Sequence, residues 1–148
     1  MNANLVLRNA KIGFIDSAVF IYFAEQHPKY LGITNIIFNR VKNQELQAIT
    51  SPITLAECLV VPERNQDANA IQIFTKLITT GPNVKFIPIE QEVAKQASVL
   101  RAKYKISLPD AFQLAISINI KCDLFLTNDL RLKKVSEVTV MALDELEL

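Results

Sequence analysis

Lys11-Ile12-Gly13-Phe14-Ile15-Asp16-Ser17 is the stretch that decides how this chain is read. An uninterrupted apolar run meets a carboxylate, which is the pattern of a strand buried on both faces that stops at the edge of a sheet. The period then changes. Over 17–26, Val19, Phe20 and Phe23 recur at helical spacing, and His27-Pro28 ends the run because Pro28 disfavours helical backbone at the residue before it.

The same alternation repeats along the chain. A helix is expected over 33–42 and a short strand over 46–50. Ser51-Pro52 has the chemistry of an N-cap and a first helical residue, opening a helix over 53–61 that Pro62 stops. Asp67 caps a further helix to 79, which Gly81-Pro82 closes. Then come a strand over 84–88, a helix over 90–104, and a helix from Ser107-Leu108-Pro109-Asp110 to about 119. A buried strand over 123–127, a helical turn and an edge strand over 137–141 complete the pattern. Strands separated by helices need crossover connections, so the sheet is mostly parallel. The expected fold is α/β, a three-layer α/β/α sandwich around about five strands, with residues 1–148 as one domain. In such sheets ligands gather beyond the carboxyl ends of the strands, where the strand order reverses.

Composition narrows the function classes. Half of the 148 residues are hydrophobic and 21% are charged, which excludes a disordered chain. No apolar run approaches the ~20 residues of a membrane helix, and the first residues lack a secretory pattern, so a cytoplasmic protein is expected. Cys58 and Cys122 sit among apolar neighbours with no CxxC or Cys/His cluster, as buried free thiols rather than zinc ligands. A net charge of +1 argues against a basic protein that wraps nucleic acid. No GxGxxG, Walker or Asp-x-Asp-x-Thr signature is present. The single His27, beside a proline, reads as a surface residue rather than a catalytic base.

The chemistry-bearing candidates are acidic. Asp16 and Asp129 each follow a buried strand, and each is alternatively a helix cap or turn residue. Asp110 lies in a Ser-x-x-Asp box and is alternatively a capping residue with Ser107. Glu57 interrupts the otherwise apolar helix Pro52-Ile53-Thr54-Leu55-Ala56-Glu57-Cys58-Leu59, with Thr54 one turn earlier as part of a polar strip. Burying an unpaired carboxylate costs several kcal/mol, so such a glutamate needs a cation, donors or water. Converging carboxylates repel one another unless a cation lies between them. An all-oxygen set selects a hard ion, Mg²⁺ or Mn²⁺.

Four short motifs then resemble the PIN-domain ribonucleases: Ile12-Gly13-Phe14-Ile15-Asp16-Ser17 with Val19-Phe20-Ile21-Tyr22; Thr50-Ser51-Pro52-Ile53-Thr54-Leu55-Ala56-Glu57; Leu108-Pro109-Asp110-Ala111; and Leu126-Thr127-Asn128-Asp129. They stand in family order over nearly the whole chain, and the size and style are similar to VapC-like toxins of toxin–antitoxin pairs. After Asp129 the chain departs from the family pattern, with Leu130-Arg131-Leu132 where many members carry a further acid and a phenylalanine; Leu132 is placed to take over the aromatic's packing. The resemblance implies Mg²⁺- or Mn²⁺-dependent endoribonuclease activity on single-stranded regions of tRNA or ribosomal RNA, leaving a 5′-phosphate and a 3′-hydroxyl. It implies that Asp16, Glu57 and Asp110 hold the main ion, with Asp129 completing the shell, and that Ser17, Thr54, Thr127 and Asn128 support them. Arg64, Lys103, Lys105, Arg131, Lys133 and Lys134 are candidates for phosphate contact. It also implies a homodimer and a cognate antitoxin. Two other readings remain open from the residues: an RNA-maturation nuclease on the same fold, and a non-catalytic α/β binding module.

Overall fold

The structure is a computed structural model describing residues 1–148. Its centre is a five-stranded sheet in the order β3-β2-β1-β4-β5, with every neighbouring pair parallel. The strands are β1 (Ile12–Ile15), β2 (Gln47–Thr50), β3 (Val84–Phe86), β4 (Leu124–Thr127) and β5 (Val140–Ala142). The helices are α1 (Ala3–Arg8), α2 (Ser17–Ala24), α3 (Leu31–Lys42), α4 (Pro52–Arg64), α5 (Ala68–Thr80), α6 (Gln91–Tyr104) and α7 (Leu108–Ile120). No helix is long and apolar enough to cross a membrane.

Alternation along the strands sorts the core into two layers. Ile15, Ala48, Leu124 and Leu126 face a cluster built with α1 to α5. Phe14, Ile49 and Phe125 face the other, built with α6 and α7 through Val93, Ala97, Leu100, Ala111, Leu114 and Ala115. Phe14 and Phe125, register partners on β1 and β4, stack with ring centroids 5.0 Å apart. Such a pair adds about 0.5–1.5 kcal/mol beyond the area it buries. The expected three layers and parallel sheet are therefore present, with every strand parallel.

The chain runs from β1 outward to β2 and β3, then returns to place β4 and β5 on the other flank of β1. The order reverses between β1 and β4, so a crevice opens beyond the carboxyl ends of those two strands. The register sets Ile15 beside Leu126, and the Asp16 amide donates to the Leu126 carbonyl at 3.0 Å.

Several local features differ from the sequence reading. Helix α1 was not expected; Asn2 caps it, and the Ala3 amide donates to the Glu147 carbonyl at 2.8 Å, tying the two chain ends together. Pro62 does not stop α4, which continues to Arg64. A proline interior to a helix costs ~3 kcal/mol, and here its buried ring lies in the seam between α4 and α5, where apolar burial offsets that cost. Gly81 closes α5 in an extended conformation, not a left-handed one. Glycine is needed there because a Cβ would lie 2.3 Å from the Leu77 carbonyl oxygen. His27 is half-buried rather than free on the surface, and lies against the rings of Tyr22 and Tyr30.

Candidate active site

Asp16 is the first residue beyond β1 and the N-cap of α2, which makes the capping reading true as well. It is only 8% exposed. One carboxylate oxygen accepts from the Ser17 amide at 2.8 Å, and the other accepts from the Thr127 hydroxyl at 2.8 Å. Thr127 ends β4, so the parallel register is what delivers this donor. Burial pushes the Asp16 carboxyl above its ordinary value; the two donors oppose that shift, and the charge of Asp110 adds to it.

Glu57 reaches the same crevice from α4. It accepts a hydrogen bond from the Ser17 hydroxyl at 3.2 Å. Loss of water along the cleft wall raises its pKa, and the neighbouring Asp16 charge raises it further. Its place among apolar residues is thus explained by a cleft-facing position on α4.

Asp110 sits in the first turn of α7, where it accepts from the Ser107 hydroxyl at 2.9 Å. Asp129 behaves differently. Its two oxygens accept from Arg131 Nε at 3.0 Å and from an Arg131 terminal nitrogen at 2.7 Å, and the Arg131 amide donates as well. The Arg131 guanidinium holds the Asp129 carboxyl below the ordinary carboxylate range.

These residues line one open, polar cavity of about 450 Å³: Asp16, Ser17, Glu57, Asp110, Thr127, Asn128 and Asp129 all contribute. No three of the acidic side chains stand close enough together to enclose an ion on their own. Thr54 is the exception among the expected site residues. It is fully buried and accepts from the Gln113 side-chain amide at 2.6 Å, while Gln113 Oε1 accepts from the Ser51 hydroxyl. The polar strip expected on α4 therefore splits, with Glu57 turned to the cleft and Thr54 to the interior.

Two groups were missed in the sequence. Gln113 is a buried amide on the apolar helix α7 that joins Ser51 and Thr54 by hydrogen bonds. The signal that singled out Glu57, a polar residue in an apolar helix, applied equally to Gln113. Tyr22 and Tyr30 stack at 4.4 Å, and the Asn128 side-chain amide donates to both hydroxyls, at 3.3 and 3.0 Å. Asn128 is therefore held by Tyr22, which the first motif includes without a role, and by Tyr30, which no motif announces. Leu132 is buried in the α6–α7 layer, as expected for a replacement of the family's aromatic residue. Cys58 and Cys122 are buried and unpaired. Burial pushes both thiols upward, Cys122 to about 11, so neither is a ready nucleophile.

Comparison with known proteins agrees with this architecture. Among solved structures, the chain is similar to VapBC2 from Rickettsia felis bound to a promoter DNA fragment, with 16% identity and a TM-score of 0.70, covering 88% of this chain and 98% of that one. It is similar to FitAcB from Neisseria gonorrhoeae, with 16% identity, a TM-score of 0.69 and coverage of 90% and 99%. It is also similar to VapC20 of Mycobacterium tuberculosis, described as a sarcin-ricin loop cleaving toxin, with 14% identity, a TM-score of 0.64 and coverage of 76% and 86%. A comparison with curated proteins finds no match. The family model of the PIN domain matches residues 13–138, from the second residue of β1 to the approach to β5, and the chain belongs to the PIN domain family.

Proposed function

We propose that this protein is an Mg²⁺- or Mn²⁺-dependent endoribonuclease, acting as the toxin of a toxin–antitoxin pair. The observation that carries the reading is Asp16: a buried carboxylate at the strand-order reversal, pushed toward protonation by its surroundings and facing a cavity lined by three more acids. Capping α2 does not require a carboxylate this deeply buried beside other acids, so a ligand of opposite charge is its physical rationale.

The donor set fits a divalent ion. It is all oxygen, which suits hard cations. Mg²⁺ keeps several waters and commonly takes only one or two carboxylates together with substrate phosphate, so widely spaced acids suit it better than a tight cage would. Asp16, Glu57 and Asp110 would hold the ion, and Asp129, already engaged by Arg131, would complete the outer part of the site. A divalent ion there lowers the pKa of water and stabilises charge at a phosphodiester. Around it, the Ser17 amide and the Thr127 hydroxyl fix the Asp16 carboxylate, while the Ser17 hydroxyl steers Glu57. In-line attack on phosphorus would leave a 5′-phosphate and a 3′-hydroxyl.

The open cleft suits an unstacked strand, since single-stranded loops are what proteins can splay and hold. The similar VapC20 is described as a sarcin-ricin loop cleaving toxin, and a similar structure from Klebsiella pneumoniae as a toxin–antitoxin complex, which supports an RNA loop as substrate and a protein antitoxin as partner. Exposed Val60, Val61 and Ile73 on α4 and α5 support a protein contact there, with the antitoxin or with a second copy in a homodimer. Ribosomal or transfer RNA as target fits an activity in the cytoplasm.

The test is to sequence RNA ends after expressing the wild type and Asp16→Asn, with purified protein assayed with Mn²⁺ and with EDTA. New 5′-phosphate ends are expected only with wild-type protein and metal. Equal cleavage by Asp16→Asn, or by wild type in excess EDTA, would overturn the mechanism.

A further inference from the structure

A second, smaller cavity of about 160 Å³ shares a wall with the acidic cleft, formed by Ser107, Asp110, Asp129 and Arg131. Its other side carries Lys105 and Lys134. The way the chain builds this wall follows from the departure noted after Asp129. Leu130–Lys134 forms a 3₁₀ turn, in which side chains three apart lie above one another. Arg131 and Lys134 therefore face the same cavity, Leu132 anchors the turn in the core, and Lys133 points away to Glu145 and the Val140 carbonyl. Lys105, the C-cap of α6, approaches from the opposite side.

We propose that this cavity, ringed by Lys105, Arg131 and Lys134, binds a backbone phosphate of the RNA strand next to the bond that is cut. The inference rests on the nuclease reading for its choice of ligand and extends it to residues the cleft does not need. The six basic candidates in the sequence separate cleanly in the structure. Lys103 is paired with Glu137, and Lys133 with Glu145. Arg64, at the end of α4, lines neither cavity. Lys105 and Lys134 have no carboxylate within ion-pair distance. Arg131 spends two of its five N–H donors on Asp129 and keeps the rest.

Three cations face two carboxylates in this lining, and both carboxylates already accept hydrogen bonds, Asp110 from Ser107 and Asp129 from Arg131. The net sign is positive, beside a cleft whose four acids need a cation of their own. A guanidinium fork with flanking ammonium groups matches phosphate oxygens. The volume exceeds several times the ~30 Å³ share of one liquid water, so a hydrated tetrahedral anion fits. A polyanionic strand that places one phosphate in the cleft puts a neighbour within reach of this cavity through their common wall.

Binding by metal-free protein tests the site independently of catalysis. Inorganic phosphate and a 5′-phosphorylated deoxydinucleotide, which the nuclease chemistry leaves intact without metal, are titrated in EDTA and followed by amide NMR shifts. Saturable shifts at Lys105, Ser107, Arg131 and Lys134 are expected, absent with chloride, and at least tenfold weaker in the double variant Lys105→Ala, Lys134→Ala. On RNA, in an Asp16→Asn background that prevents cleavage, the slope of log affinity against log salt should drop by about 0.7 for each lysine removed. Shifts scattered over the surface, an unchanged salt slope, or shifts given by a glutamate-rich peptide and not by phosphate would overturn the assignment. These outcomes are separable from failure of the nuclease reading, which is decided by wild-type cleavage and not by anion binding.

Discussion

Asp16 and Asp129 leave neighbouring parallel strands at the same edge of the sheet, yet their surroundings push them in opposite directions. Asp16 is buried, held by neutral donors, and raised. Asp129 is gripped by an exposed guanidinium, and lowered. Two acids at equivalent places in a fold thus differ as ligands. The first carries an unsatisfied demand for positive charge, and the second has had that demand met from within its own chain. The difference predicts unequal roles, with Asp16 at the heart of any metal site and Asp129 at its margin.

The largest effect should separate the two directly. Asp16→Asn is expected to lower RNA cleavage roughly a thousandfold, because a catalytic ion supplies several kcal/mol and each ~1.36 kcal/mol is tenfold. Asp129→Asn should lose only about tenfold, one such increment. Initial rates on a loop-containing RNA decide this, and equal losses would erase the distinction.

Stability should follow the buried side of the comparison. Thr127→Val removes a donor from the buried Asp16 carboxylate, and Gln113→Leu strands the Ser51 and Thr54 hydroxyls. Each should cost about 1–3 kcal/mol in urea unfolding at neutral pH. The Thr127→Val loss should shrink in acid, where a protonated Asp16 needs that donor less. A loss independent of pH would mean that Thr127 acts through packing alone.

The pH dependence has a defined sign. Between the ordinary Asp value of 3.8 and the raised folded value, the folded chain keeps a proton that the unfolded chain has released. The Asp16 contribution to stability therefore falls as pH rises through that window. Metal-free wild type should show this component in urea midpoints across acid pH, and Asp16→Asn should lack it. A wild-type component that rises with pH there would show that the Asp16 donors outweigh its burial.

The smallest effect belongs to the exposed pair. Arg131→Ala should leave the unfolding midpoint unchanged, since a solvent-exposed ion pair contributes little. It should return the Asp129 carboxyl upward toward its ordinary value, seen by carboxyl NMR titration of metal-free protein. No upward movement would detach Asp129 from Arg131 and restore it as an equal of Asp16.

Much of this was legible in the residues. Periodicity switches marked the strands and most helices because burial on both faces leaves a continuous apolar run, while a helix on a sheet leaves a stripe. The order of the acids at strand ends and helix starts was visible for the same reason. The errors lay where tertiary contact overrode local preference. Pro62 reads as a stop, but its buried ring in the α4–α5 seam holds it inside the helix. Thr54 and Glu57 differ by about 60° around the helix axis, and only tertiary contacts, Gln113 of α7 bonding Thr54 and Ser17 bonding Glu57, decide that this angle separates interior from cleft.

What the sequence determined by itself is the alternation of β and α elements, the parallel sheet, and the four acids with the motifs that carry them, all of which depend on neighbours along the chain. What only the tertiary structure decided is how each acid is answered. Thr127 and Ser17 hold Asp16, Arg131 claims Asp129, and Gln113 ties α7 to α4. Apart from the short-range Ser17 and Arg131 contacts, these partners lie far apart in the chain. Burial and charge are sums over everything that packs around a group, so no local pattern contains them.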